Sequence, residues 1–287
     1  MSTQNGKTIA AIAADDEERL LLVRAEELSR RAEDGIVSVS DFLNLGEQYL
    51  CRRFLTACGK TEGQDYVFYG GYAYAERRML FCLPEYLSAS FPSDPAEAEA
   101  LSDALCTVCE GEEAVSAVSV SGSGYKTLGH RDYLGALLSL GVERRVLGDI
   151  AVTDDAHAVI LCKAAMTEFL CTGLERIGAD KVRAALYPAE ERLSLPDTRK
   201  YVDISDTVAS LRLDGIVASF AGISRDKAKQ AVTSGMVELD FRTVTSPDTE
   251  VSPGAYLSVR GVGRFLFTGT DGSSKKGRLR IRAKRFI

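Results

Sequence analysis

At 287 residues the chain is long enough for two or three domains of about 100–150 residues each. Its 45% hydrophobic and 26% charged residues describe a globular protein with a sizeable core. With 25 Gly, 7 Pro and 7 Cys it is excluded from the collagen-like, low-complexity and disulfide-scaffold classes. The net charge of −6 argues at first sight against nucleic acid, but the charge is unevenly spread. From Ser205 to Ile287, 14 Lys+Arg face 8 Asp+Glu, a net of +6, whereas residues 1–204 hold 21 against 33, a net of −12. Such asymmetry points to a basic binding module attached to an acidic body.

Thr8 to Ala14 is apolar behind Lys7, but it is marginally short for a signal sequence and Asp15-Asp16-Glu17-Glu18 follows at once. No stretch approaches the roughly 18 apolar residues of a membrane span. Cys51, Cys58, Cys82, Cys106, Cys109, Cys162 and Cys171 mostly sit in apolar stretches and read as buried free thiols. A cytoplasmic protein is expected. Residues 15–33 predict a helix with acids in its first turn and Leu21, Ala25, Leu28 and Ala32 along one face. A second helix is expected from an N-cap at Ser40-Asp41 to Gly59.

The middle of the chain alternates strand and helix. Arg78–Leu83 and Ala114–Val120 read as strands with a helix at Pro95–Val108 between them. His130–Leu140 reads as a helix, Ala156–Cys162 as a strand, Ala164–Ile177 as a helix and Lys181–Tyr187 as a last strand. This order suggests a split βαβ, ferredoxin-like (RRM-like) unit, with the His130 helix as an insertion. After Pro188 the polar run to Tyr201 reads as a linker. Val208–Phe220 and Arg225–Ser234 then form a helical hairpin, followed by strands at Met236–Phe241, Ala255–Arg260, Arg264–Phe267 and Arg278–Arg285.

Two features of the basic module carry chemistry. In an extended strand alternate side chains share a face, which puts Arg278, Arg280, Arg282 and Lys284 together and Leu279, Ile281 and Ala283 opposite. Same-face neighbours lie about 6.6 Å apart, close to the repeat of phosphates along an extended strand; Lys275, Lys276, Arg260 and Arg264 extend the patch. The competing explanation is an edge strand protected by its charges. The second feature is Ser224, a helix cap, followed by Arg225, Lys227 and Lys229. Cations crowd a helix end whose dipole is positive, an arrangement that a bound phosphate would satisfy.

At these residues a family pattern is visible. Ser210-Leu211-Arg212-Leu213-Asp214, then Ser224-Arg225 with Ala228, Gly235, Val237 and Gly254, resembles the RNA-binding domain of ribosomal protein S-four. The sequence departs from it at Asp240, where Asn is usual, and at Gly254-Ala255, where Gly-Asp is usual. Upstream, Gly70-Gly71-Tyr72, Ala75-Glu76-Arg77-Arg78 and the run from His130-Arg131-Asp132 through Arg144-Arg145 to Gly148-Asp149-Ile150 resemble the YlmH family, as do Ser258–Gly261, Gly263-Arg264-Phe265 and Lys275–Arg278. The resemblance covers roughly Phe42 to the end. It implies a cytoplasmic, non-enzymatic protein with two RNA-binding parts, the central one ferredoxin-like; no cofactor or metal is expected. It further implies tRNA, ribosomal RNA and the large ribosomal subunit carrying obstructed peptidyl-tRNA as partners, in ribosome-associated quality control. Genes of the family commonly lie near cell-division genes.

Other motifs are weaker. His130-Arg131-Asp132 lacks the Asn of the kinase loop, Leu137 standing in its place. Asp132 could serve a pseudouridine synthase, but it lies in a helix-like run without the turn those enzymes carry. Ser121–Thr127 lacks the contiguous Gly-Lys-Ser/Thr of a phosphate loop. Cys106-Thr107-Val108-Cys109 has no second pair to complete a zinc site. The basic ends of the His130 helix, His130-Arg131 and Arg144-Arg145, either face RNA or join a structural network with Asp132 and Asp149.

The expectation is therefore an α+β protein: a helical N-terminal segment over 1–75, a ferredoxin-like RNA-binding domain over 76–190, and a small S-four-like α+β RNA-binding domain over 205–287. The expected RNA contacts are Arg212, Ser224, Arg225, Lys227, Lys229, Arg260, Arg264, Lys275, Lys276, Arg278, Arg280, Arg282 and Lys284, with His130, Arg131, Arg144 and Arg145 as a second site. No catalytic residue, membrane partner or small-molecule substrate is expected. A modification enzyme and a cell-division-linked adaptor are the alternatives.

Overall fold

The computed structural model describes residues 2–90, 114–274 and 277–287. The protein is of the α+β class and divides into two compact units, Met1–Thr198 and Arg199–Ile287.

The first unit opens with helices α1 (Ser2–Ile12) and α2 (Asp16–Glu33). Asp15 caps α2 by accepting the Glu18 N–H at 2.9 Å, with acids in the first turn and Arg30 and Arg31 in the last, as the helix dipole favours. Ser40-Asp41 does not start the next helix: Ser38–Leu43 is strand β1, and α3 (Leu45–Ala57) begins after Asn44. Asn44 accepts from Glu47 N at 3.0 Å while the Glu47 carboxylate accepts from Asn44 N at 2.6 Å. This reciprocal cap overrides the apolar run Phe42-Leu43 that had suggested an earlier start. Strands β2 (Tyr66–Tyr69) and β3 (Arg78–Cys82) join β1 in an antiparallel sheet of order β1-β3-β2. Its alternating side chains divide cleanly. Tyr66, Phe68 and Leu80 pack on the helices with Leu22, Leu50 and Phe54. Phe42, Tyr69 and Phe81 face a second sheet.

That second sheet is built from β4 (Val115–Ser121), β5 (Leu147–Val152), β6 (His157–Lys163) and β9 (Arg183–Leu186), in the antiparallel order β5-β6-β4-β9. Helix α4 (His130–Ser139) follows β4 and α5 (Thr167–Gly173) follows β6. A short ribbon, β7 (Arg176–Ile177) with β8 (Asp180–Lys181), precedes β9. The element order is thus β-α-β-β-α-β beginning at Val115. The strand at Arg78 belongs to the other sheet, and the His130 helix is the first crossover and not an insertion. The expected helix at Pro95–Val108 lies outside the described residues. The expected boundary at 75/76 falls between β2 and β3, which pair over four positions.

Both faces of the second sheet are filled. Val118, Val120 and Ile160 pack on Tyr133, Leu137 and Leu170 of α4 and α5. Val115, Ala117, Val159 and Leu161 pack on Phe42, Tyr69 and Phe81 of the first sheet. One face of β4 and β6 is thus occupied by the first sheet and the other by the helices. The run after Pro188 is not a plain linker either. Ala189–Leu193 forms helix α6, and Arg192, 1% exposed, donates to the carbonyls of Gly71 at 3.1 Å and Val115 at 2.6 Å.

In the second unit, helices α7 (Leu213–Ala221) and α8 (Arg225–Thr233) sit on a six-stranded antiparallel sheet. Its strands are β10 (Tyr201–Val208), β11 (Val237–Leu239), β12 (Arg242–Thr243), β13 (Tyr256–Val259), β14 (Gly263–Ser273) and β15 (Leu279–Phe286), in the order β10-β15-β14-β13-β11-β12. Strand β10 starts at Tyr201, where the expected linker ends, and takes in Val208, so the helix expected from Val208 begins at Leu213. Ile216, Val217, Phe220, Ala228 and Val232 of the helices bury one sheet face, against Phe265, Phe267, Ile281 and Ala283.

Candidate nucleic-acid interface

The α7–α8 hairpin turns at Gly222, whose φ of +64° is the left-handed conformation that lets the chain leave α7. Ser224 then caps α8, its hydroxyl accepting from Lys227 N at 3.4 Å. Just before, Asp214 enters α7 with only 4% of its surface exposed. Arg212 donates to it through Nε at 3.3 Å and Nη2 at 3.4 Å, and Arg225 through Nε and Nη2 at 3.2 Å each. Burial pushes the Asp214 carboxyl up, but the hydrogen bonds and charges of Arg225 and Arg212 outweigh it and hold the group below the usual carboxylate value. Arg212 and Arg225 are therefore partly structural: one carboxylate fixes both guanidinium groups at the hairpin mouth and leaves a net charge of +1. Their side chains stay about half exposed, at 45% and 55%. Asp214 was visible only as part of a signature; its burial between two arginines is the reason for that spacing.

Lys227 and Lys229 project from the first turns of α8 into solvent. Neither side chain has a partner among the described residues, and the same holds for Arg260. The strand β15 keeps the expected alternation: Ile281 and Ala283 are buried while Arg280 and Arg282 are exposed. It is not an edge, because β10 pairs with it over eight positions and β14 flanks the other side. Edge protection therefore does not account for its charges. Arg282 pairs with Asp271, Arg278 donates to the Thr207 carbonyl at 2.6 Å, and Lys284 lies 4.0 Å from the centre of the Tyr201 ring. Arg264 sits 4.7 Å over Phe286. Arg280 has no side-chain partner among the described residues. Lys275 and Lys276 lie outside the described residues.

In the first unit the loop around residue 77 docks on β5. Asp149 accepts from Tyr72 Oη at 3.1 Å, Glu76 N at 2.7 Å and Arg77 N at 3.0 Å. Arg77 donates to the carbonyls of Leu147, Phe42 and Arg144. This network holds the backbone at Arg144 without using its side chain, which is exposed, as is Arg131. Arg145 instead pairs with Glu143 at 2.6 Å and Asp41 at 3.6 Å. Partial burial, then the neighbouring Arg144, push the His130 pKa down against the pull of Asp149, so its imidazole is neutral at neutral pH. Of the four, Arg131 and Arg144 are the available cations.

Asp132 stands in the first turn of α4 and accepts from Gly129 N at 2.9 Å, a capping role. In the loop after β4, the Ser123 N–H and hydroxyl donate to the Asp180 carboxylate, and the Tyr125 N–H donates to Ser123 Oγ. Cys51 and Cys82 are buried with thiols pushed up to about 12 by desolvation, and Cys162 to about 11. Cys106 and Cys109 lie outside the described residues. No helix among the described residues is long and apolar enough to cross a membrane.

Residues 116–191, the β-α-β-β-α-β unit, match the family model described as "Putative RNA-binding domain in YlmH". A curated relative, the "Ribosome-associated protein quality control protein P2" of Bacillus subtilis, is 31% identical over 274 residues, covering 94% of this chain and 95% of its own. A solved chain described as "Cell division protein ylmH from Streptococcus pneumoniae" is 18% identical and covers 63% of this chain and 97% of that one, at a TM-score of 0.44. The length and identity of the Bacillus match, with the domain match inside it, show that this chain belongs to the YlmH family.

Proposed function

We propose that the protein is a non-enzymatic RNA-binding factor of ribosome-associated quality control, which grips tRNA and large-subunit ribosomal RNA on a large subunit carrying obstructed peptidyl-tRNA. The observation that carries this reading is the set of cations without side-chain partners among the described residues of the basic unit: Lys227 and Lys229 beyond a capped helix start, Arg260 in the turn after β13, and Arg280 on β15. Cations held without internal partners are free to displace counterions from phosphates. The full-length match to a relative named for ribosome-associated quality control supplies the cellular setting. The first unit would be a ferredoxin-like RNA-binding domain whose contacts come from Arg131 and Arg144 at the ends of the helix region, because both faces of its central strands β4 and β6 are packed against protein. Two modest sites on one chain raise avidity and fix orientation when the linker spans them.

The test is RNA crosslinking in cells, with sequencing of the attached RNA, for the natural protein and for R278A/R280A/R282A. Crosslinks to tRNA and large-subunit ribosomal RNA that are lost in the variant are expected. Absence of RNA from the natural protein would overturn the reading.

A further inference from the structure

Among the described residues of the C-terminal unit, helices α7 and α8 pack on one side of its sheet. The opposite side carries an aromatic and cationic array that the helix-mouth cations do not explain. Strand register places Tyr256 opposite Leu266, Leu266 opposite Lys284, and Lys284 opposite Asp203, while Tyr201 lies opposite Phe286 in the neighbouring row. The rings of Tyr256 and Phe286 lie 6.4 Å apart at 17°, and those of Phe241 and Tyr256 5.4 Å apart at 33°. Two cations are set among them, Arg264 over Phe286 and Lys284 over Tyr201. Farther along the same strand face stand Arg282 and Arg280.

Phe241 supplies an independent observation. Asp240 and Phe241 form a two-residue hairpin turn between the paired residues Leu239 and Arg242, with φ of +48° and +63°. Such turns favour Asn-Gly or Asp-Gly, because both central residues must adopt positive φ. Asp240 fits the pattern and accepts from Tyr256 N at 2.9 Å. Phenylalanine in the left-handed region carries a conformational cost that glycine would not. The chain accepts that cost at a position whose ring meets Tyr256. Retained strain of this kind clusters at ligand-binding positions.

We propose that this outer sheet face binds unpaired RNA nucleotides, with bases stacking on the Phe241–Tyr256–Phe286 array and Tyr201 while Arg264 and Lys284 take the flanking phosphates. Aromatic rings interleaved with cations are the chemistry of single-strand recognition. The inference deepens the RNA-binding reading above and rests on it. It separates two surfaces: helix α8 for phosphates of folded RNA, the open sheet face for bases that are out of a duplex.

The test uses the full-length protein and two probes, a twelve-nucleotide adenine strand containing 2-aminopurine and a closed RNA hairpin. The variant F241G/Y201S removes two rings at positions that tolerate it, since glycine suits the turn at 241 and Tyr201 is 37% exposed. Its circular dichroism and melting midpoint should match the natural protein's. Expected is a loss of about tenfold in affinity for the single strand, with weaker quenching of 2-aminopurine and hairpin binding within twofold. K227A/K229A should show the opposite pattern. If the natural protein binds the hairpin but not the single strand, or the variant binds the strand unchanged, the sheet-face proposal is overturned and the RNA reading stands. If the natural protein binds neither probe, both fall.

Discussion

Arg225 of helix α8 closes on the buried carboxylate of Asp214 at the start of α7 through two hydrogen bonds of 3.2 Å. With Arg212 on the other side, this clamp ties the helix hairpin together where its cations gather. Asp214→Asn keeps the shape and removes the charge. The folded carboxyl sits below its unfolded value of about 3.9, so its stabilising effect is present above that pH and is lost as pH falls through the folded value. The variant should be less stable by about 1–2 kcal/mol at pH 7, a modest figure because both arginines are half exposed and screened. Chemical denaturation of the C-terminal unit within the full chain, followed from pH 7 to pH 3, should show the difference shrink toward the acid end.

Arg280 and Arg282 share a strand face but not a state. Arg282 is engaged by Asp271, whereas Arg280 has no side-chain partner among the described residues. Arg280→Ala should weaken RNA binding and reduce the slope of log affinity against log salt by about 0.7–0.9, one phosphate contact. Asp271→Ala should do the reverse, releasing Arg282 and removing a negative charge from the face. Titrations of a labelled RNA at three or four salt concentrations distinguish these directions, and equal loss in both variants would remove the strand from the interface.

The basic strand was legible in the sequence because one of its faces is buried, which enforces a period of two on Leu279–Phe286. The helix start at Ser224 was legible because capping is local chemistry. Strand β10 was not: Tyr201–Val208 has only Val208 buried, so its strand state comes from eight pairings with β15 and not from its own pattern. The strand Ser38–Leu43 was hidden for a related reason, its apolar end running straight into the Asn44 cap. The sheet that Arg78–Cys82 joins was not legible, because it is a good strand in isolation and nothing local says which strands it pairs with. The open-face array was invisible, since Phe241, Tyr256, Phe286 and Tyr201 converge from four separate segments.

Asp132 offers a direct contrast between capping and catalysis. Its carboxylate accepts the Gly129 N–H and lies 4.0 Å from Lys126. Asp132→Asn retains an acceptor oxygen and loses only the favourable interaction of a negative charge with the helix start, about 0.3–1 kcal/mol. RNA affinity should be unchanged. Carbodiimide marking of pseudouridines, a mass-silent isomer of uridine, followed by reverse-transcription mapping of ribosomal RNA from cells carrying only the variant should find the same modified positions as in the parent. A specific uridine modification lost in the variant would instead identify Asp132 as a nucleophile or base.

Gly148 of β5 lies directly against Phe42 of β1 in the other sheet. A Cβ there would stand 2.8 Å from Leu161 Cβ and 2.8 Å from Phe42 Cε1, both side chains being at most 2% exposed. Neither neighbour can swing into solvent, so Gly148→Ala must push β5 away from Phe42 or distort β6. Overpacking of this kind costs about 1–3 kcal/mol. Phe42→Leu alone should also destabilise, by leaving a cavity. Combined with Gly148→Ala it should recover part of the loss, because the smaller side chain vacates the space that the new methyl needs. A double-mutant cycle of thermal unfolding therefore predicts a favourable coupling between positions 42 and 148, of about 0.5 kcal/mol or more. Strict additivity would mean that the sheets do not meet through these two residues.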